Sequence, residues 1–210
     1  MTTGLTLKSL RITRGETELL AIDTNVPSGA VLSVMGPSGA GKSTLLAALT
    51  GTLAPAFQLQ GRVILNGRDI TNLPTEARRV GILFQDDLLF PHLSVGQNMA
   101  FGLAKGGTRT ERRAKIKTAL TDVGLEGFFD RDPATLSGGQ KARVALMRML
   151  LSAPEALLLD EAFSGLDPAL REQIRALVFT RARTLNLPVV MVTHDPADAE
   201  AAGGHILKIG

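Results

Sequence analysis

The chain has 210 residues, 44% hydrophobic and 20% charged, which suits one folded domain with room for a subdomain and excludes a disordered chain. A net charge of +3 is too small to argue for nucleic acid, and the absence of Cys excludes disulfide scaffolds and cysteine-built zinc sites. The N-terminal MTTGLTLKSLRITRGE lacks the apolar core of a secretory signal, and no apolar run approaches the roughly 18 residues that span a bilayer.

LTLKSLRIT (5–13) alternates apolar and polar residues, as a half-exposed strand does, and ELLAIDTNV (18–26) reads as its partner. PSG (27–29) turns the chain into AVLSVM (30–35), a buried strand. A glycine-rich segment, GPSGAGKS (36–43), follows at once and opens a helix-like KSTLLAALTG (42–51). GRVILNGRDI (61–70) predicts a strand with an Asn-Gly turn, and VGILFQ (80–85) a short apolar strand with Gln85 at its exit. From Asp86 to about Glu155 helical patterns take over, at 94–104, 108–125 and 137–153. The last of these carries an apolar stripe of Ala142, Ala145, Leu146 and Met149. ALLLD (156–160) and PVVMVTH (188–194) are near-continuous apolar runs that suit strands buried on both faces of a parallel sheet. A crossover helix is expected between them over 167–185, and HILKI gives a last strand.

The segment 36–43 fits the phosphate-loop spacing, and a strand before it with a helix after it is the context that chemistry requires. Gly36, Gly39 and Gly41 let the backbone curl so that N–H groups face phosphate oxygens, with the positive end of the helix beneath. Pro37, Ser38, Ala40 and Thr44 complete the cradle. Lys42 is expected to reach the β- and γ-phosphates, and Ser43 to ligate Mg²⁺. The fold class is therefore α/β: a P-loop NTPase core with a mostly parallel sheet flanked by helices and an N-terminal antiparallel β region. This core is expected over 1–85 and 156–210 of a single nucleotide-binding domain (1–210), with an inserted α-helical subdomain over 86–155.

Asp160 ends the run ALLLD, where an open α/β sheet delivers side chains to its ligand crevice, and so suits a water-mediated Mg²⁺ role. Glu161 follows as a second carboxylate, free to orient or deprotonate an attacking water. In LSGGQ (136–140), Ser137 is a good N-cap, and Gly138 and Gly139 leave the first amides of a helix uncovered. That is a second phosphate site in a chain with one phosphate loop. The economical solution places each nucleotide between two copies, one giving Gly36–Ser43 and the other Ser137–Gln140. His194 alone reads as a surface or packing histidine, and His92 and His205 carry no catalytic assignment.

On these motifs the chain resembles, over essentially its full length, an ATP-binding cassette (ABC) ATPase subunit. ILFQ is similar to the family's Q-loop, SGLD (164–167) to its D-loop, and VTHD (192–195) to its histidine switch. The resemblance implies ATP and Mg²⁺ as cofactors, with Gln85 sensing metal and water, Asp167 at a dimer interface, and His194 contacting the γ-phosphate and orienting the water with Glu161. Two positions depart from the pattern. Arg14 stands where an aromatic residue usually stacks on adenine, and is expected to stack in its place. Ala162 stands where Pro commonly follows the catalytic glutamate, which changes loop stiffness and leaves the acid chemistry.

The stretch 86–103, with Leu88, Leu89, Phe90 and Leu93 as its groove, resembles the part of bacterial importer ATPases that docks on a membrane subunit. Closest are importers of thiamine, iron, polyamines, molybdate or sulfate. The implied partners are a second copy of the chain, transmembrane permease subunits and, through them, a solute-binding protein, at the cytoplasmic face of the cell membrane. No nucleic-acid partner is expected: the basic stretch 105–117 reads as a solvated helix face, and the span between Gln85 and Ser137 holds no sustained heptads. An export role or a DNA-maintenance role is the alternative. The chain stops soon after HILKI, so control through a C-terminal regulatory domain is not expected.

Overall fold

A computed structural model describes residues 3–210. The strands are β1 (Gly4–Arg14), β2 (Thr17–Pro27), β3 (Val31–Met35), β4 (Gln58–Leu65), β5 (Arg68–Asp69), β6 (Val80–Phe84), β7 (Ala156–Asp160), β8 (Val189–Val192) and β9 (His205–Lys208). The helices are α1 (Lys42–Thr50), α2 (Thr75–Arg78), α3 (Val95–Gly102), α4 (Arg109–Thr121), α5 (Gly138–Leu150), α6 (Pro168–Thr184) and α7 (Pro196–Ala202). They fall into two units. One takes in the chain up to Ile82 with Glu155–Glu161 and Phe179–Gly210; the other takes in Leu83–Pro154 and Ala162–Val178.

In the first unit an antiparallel sheet runs β2-β1-β4-β5. Leu5, Leu7, Leu10 and Ile12 of β1 are all buried, although the step from Leu7 to Leu10 breaks the two-residue alternation. A bulge absorbs the extra residue, with Ser9 at φ 46° and the register to both neighbours shifting there. The backbone N–H and hydroxyl of Ser9 donate to Asp23 at 3.1 and 3.0 Å. Gly61, opposite the bulge, lies so close to the Ser9 carbonyl that a Cβ there would collide.

The second sheet has the order β6-β7-β8-β3-β9. β7 pairs with β8, β8 with β3, and β3 with β9, all in parallel. Buried residues fill β8 completely and β7 up to Asp160, as strands covered on both faces require. Because β3, β7 and β8 are parallel neighbours, their carboxyl ends open on one edge. Residues following Met35, Leu159 and Val192 are thereby gathered there, which positions the site. α1 buries Leu45, Leu46, Ala48 and Leu49. It ends at Gly51 (φ 81°), where buried Arg78 donates to the Ala48 and Leu49 carbonyls at 2.7 and 3.1 Å.

In the second unit α3, α4 and α5 each begin with a reciprocal capping box: Ser94 with Gln97, Thr108 with Glu111, and Ser137 with Gln140. Their core holds Val95, Met99, Ile116, Leu120, Val144 and Met147. Of the expected stripe α5 buries Ala145, Leu146 and Met149 and half-buries Ala142, while Val144 and Met147 are covered as well. The basic stretch is partly structural: Arg112 donates to the Ala100 and Leu103 carbonyls at the end of α3, while Arg113 lies over Phe129 at 3.9 Å and pairs with Asp130 at 3.0 Å. Among the described residues no helix is long and apolar enough to cross a membrane.

Candidate functional site

β3 hands the chain to the loop 36–41, and α1 starts directly after it. Gly39 and Gly41 sit at φ 86° and 89°, in the left-handed region that glycine reaches without strain. At Gly36 an added Cβ would strike the Ile209 carbonyl, so only glycine lets the loop pass this close to the end of β9. The N-cap of α1 is Gly41, which supplies no side-chain acceptor to the first turn of the helix. Lys42 is buried, and its Nζ donates to the Gly36 and Pro37 carbonyls at 2.7 and 2.8 Å, folding the ammonium over the loop. Pro37, Ser38, Gly39 and Ser43 are exposed; Ala40 and Thr44 are half-buried.

At the end of β7, burial raises the Asp160 carboxyl above its ordinary range, the neighbouring Glu161 charge raises it further, and Lys42 opposes both. Glu161 has φ 48°, a conformation costly for a residue with a side chain, and its N–H donates to the Val192 carbonyl at 3.0 Å. Its Oε2 stands 3.2 Å from Nδ1 of His194, which leaves β8 at the adjacent strand end. The first unit thus gathers residues 36–44, Asp160, Glu161 and His194 along one sheet edge. Arg14 ends β1, with its guanidinium 6.0 Å from the Phe57 ring centroid.

The second unit holds the other predicted residues. Gln85 is exposed just past β6. Ser137 and Gln140 satisfy each other: Ser137 N–H donates to Gln140 Oε1 at 3.0 Å, and Gln140 N–H to Ser137 Oγ at 3.4 Å. Gly138 is exposed with open space around it, whereas Gly139 is buried under Leu170. The open helix tip is therefore narrower than the two exposed glycines expected from sequence. Asp167 is exposed and its Oδ1 accepts from the Leu170 N–H at 3.1 Å.

Residues 19–164 match the protein family described as ABC transporter. The chain belongs to that family. An uncharacterised ABC transporter ATP-binding protein of Escherichia coli K12, YnjD, is 50% identical over 94% of this chain and 91% of its own length. The thiamine import ATP-binding protein ThiQ of Jannaschia sp. is 45% identical over 98% of this chain and 88% of its own. Among solved structures, cbiO1 of Clostridium perfringens, described as part of the ABC transporter complex cbiONQ, superposes with a TM-score of 0.86 at 30% identity. That match covers 100% of this chain and 85% of the other. The chain is accordingly an ATP-binding subunit and ATPase of the transporter family, with the P-loop NTPase fold.

In this ABC ATPase the stretch after Gln85 differs in detail from the expected groove. Leu89 packs on the helical core, while Leu88 is exposed and Phe90 stacks at 4.8 Å on Phe101. Phe101, 71% exposed, is the apolar side chain that sequence reading passed over. It sits in a helix whose neighbours are themselves apolar, so nothing marked it as facing outward.

Proposed function

We propose that the chain energises a bacterial small-solute importer, as two copies that close on MgATP at the cytoplasmic face of the membrane. Closure pulls on transmembrane permease subunits, which receive solute from a binding protein, and hydrolysis resets the cycle. The similarity to the thiamine import protein supports import, and the exposed Leu88 and Phe101, with half-buried Phe90 against Phe101, supply an apolar surface for the permease.

The observation that carries the chemistry is the Glu161–His194 pair, 3.2 Å apart on the sheet edge that also bears the phosphate loop. Water attacks the γ-phosphorus in line with the bridging oxygen, which leaves with ADP. Glu161 orients that water and takes its proton, and His194 holds the carboxylate and water in place. Lys42 and the loop amides neutralise charge on the β- and γ-phosphates. The Ser43 hydroxyl and the Asp160 carboxylate are hard oxygen donors of the kind Mg²⁺ takes. The upward pressure on Asp160 from Glu161 is a surplus of negative charge that a divalent cation offsets. An ion held by these residues would supply neutralisation of charge on the phosphate oxygens. In the partner copy, Ser137, Gly138, Gly139, Gln140 and Asp167 close the site from the other side.

Replacing Glu161 by Gln keeps the shape and removes the base. Steady-state phosphate release is expected to fall by at least about a hundredfold while ATP still binds and holds the two copies together. Wild-type turnover in that variant would assign the base elsewhere.

A further inference from the structure

We propose that Asp198 is a positioning residue for His194, acting through the hydroxyl of Thr193. Thr193 is 3% exposed and Asp198 2%. Asp195 is the N-cap of α7 and accepts from the Ala197 N–H at 2.8 Å, which makes Asp198 the third residue of the helix. In an ordinary capping box that third side chain would take the N–H of the cap residue directly. Here the Thr193 hydroxyl stands between them. Its Oγ1 accepts from the Asp195 N–H at 3.1 Å and donates to Asp198 Oδ2 at 3.2 Å.

His194 is the residue enclosed by this relay. The chain enters it from Thr193, anchored below by β8, and leaves it through Asp195, anchored above by α7. The His194 side chain itself is 61% exposed, and Glu161 Oε2 is its one ion-pair contact among the described residues. A ring so open to solvent takes little orientation from packing, so its aim is set by the backbone on either side. The buried carboxylate fixes that backbone. Loss of the Thr193–Asp198 bond loosens the hold on the Asp195 N–H, and the 3.2 Å approach of Nδ1 to Glu161 is the contact expected to lengthen.

The proposal rests on the reading of His194 as the residue that attends the reacting water, and two kinds of measurement separate the two ideas. In the nucleotide-free chain, imidazole nitrogen resonances report where the His194 ring sits without reference to hydrolysis. Thr193→Val keeps the shape of a buried side chain and removes only the hydroxyl; Asp198→Ala removes the carboxylate; Thr193→Ser restores the relay. The Val and Ala variants are expected to shift the His194 resonances and to lower kcat about tenfold with ATP KM unchanged within about twofold, because orientation and not binding is lost. The Ser variant is expected to match the parent, and the Val/Ala double variant to lose no more than either single one. Unmoved His194 resonances in Thr193→Val overturn the positioning role. Moved resonances with parental kcat uphold that role and remove His194 from the chemistry instead.

Discussion

Arg14 brings a planar cation to the place where the family's resemblance called for an aromatic ring, and Phe57 lies behind it at 6.0 Å. A guanidinium backed by a ring presents a flat face on which a purine can stack, at an exposed site worth roughly 0.5–1 kcal/mol. Arg14→Ala is therefore expected to weaken ATP binding about two- to fivefold, and Arg14→Tyr to restore it; calorimetric titration with ATP measures both. Parental affinity in the Ala variant would leave adenine without a platform at this residue. Individual residues were the most legible level of the chain. Lys42, Asp160 and Glu161 are named by the motifs that contain them, since each chemistry needs one residue type at one spacing. The Glu161–His194 partnership came only with the family resemblance and not from the residues themselves, because it depends on β7 and β8 being neighbours although the whole of α6 separates them in sequence. The left-handed φ of Glu161 has no marker either, as glutamate carries no preference for it.

Between β6 and α3, a side chain of α5 holds the loop that follows Gln85. Arg148 donates to the Asp87 and Leu88 carbonyls at 3.0 and 2.8 Å, and the Lys141 charge acts on the Asp87 carboxylate. Burial nevertheless pushes the Asp87 carboxyl up to about 6, and the adjacent Asp86 adds to this, against Lys141 and Arg148. A carboxyl whose folded-state pKa is raised favours the folded state only while protonated; that advantage is complete below its unfolded value near 4 and is lost as pH rises through about 6. Asp87→Asn abolishes the titration. It is expected to stabilise the chain by about 1 kcal/mol at pH 7, once screening of a half-exposed group is allowed for, and by nothing near pH 4. Urea unfolding at the two pH values reads the difference, and an equal gain at both would assign the effect to something other than this charge. Elements were legible where their periodicity was clean. β1 reads as a plain alternating strand over 5–13, and the bulge at Ser9, which shifts the phase between Leu7 and Leu10, is seen only in the structure. α7 was missed because its apolar side is only alanine, too weak a moment to read, although Asp195-Pro196 is a good helix start.

For the whole molecule, the unresolved matter of arithmetic is that one chain holds one phosphate loop and one Ser-capped glycine helix. If each nucleotide is shared between two copies, every site takes its loop from one and its helix tip from the other, and a two-fold pair forms two such sites. Two substitutions can disable the halves separately. Lys42→Ala empties the loop of its cation. Gly138→Asp fits the fold, since a side chain there meets open space and an acid suits the start of α5, but it sets a negative charge against the phosphates. Each variant alone is expected to be inactive. When equal amounts are mixed, half the pairs contain one copy of each and have one of their two sites intact, so about a quarter of the parental rate returns. Nothing returns if a single chain handles its nucleotide alone, and full activity of Gly138→Asp on its own would mean that the tip of α5 touches no phosphate.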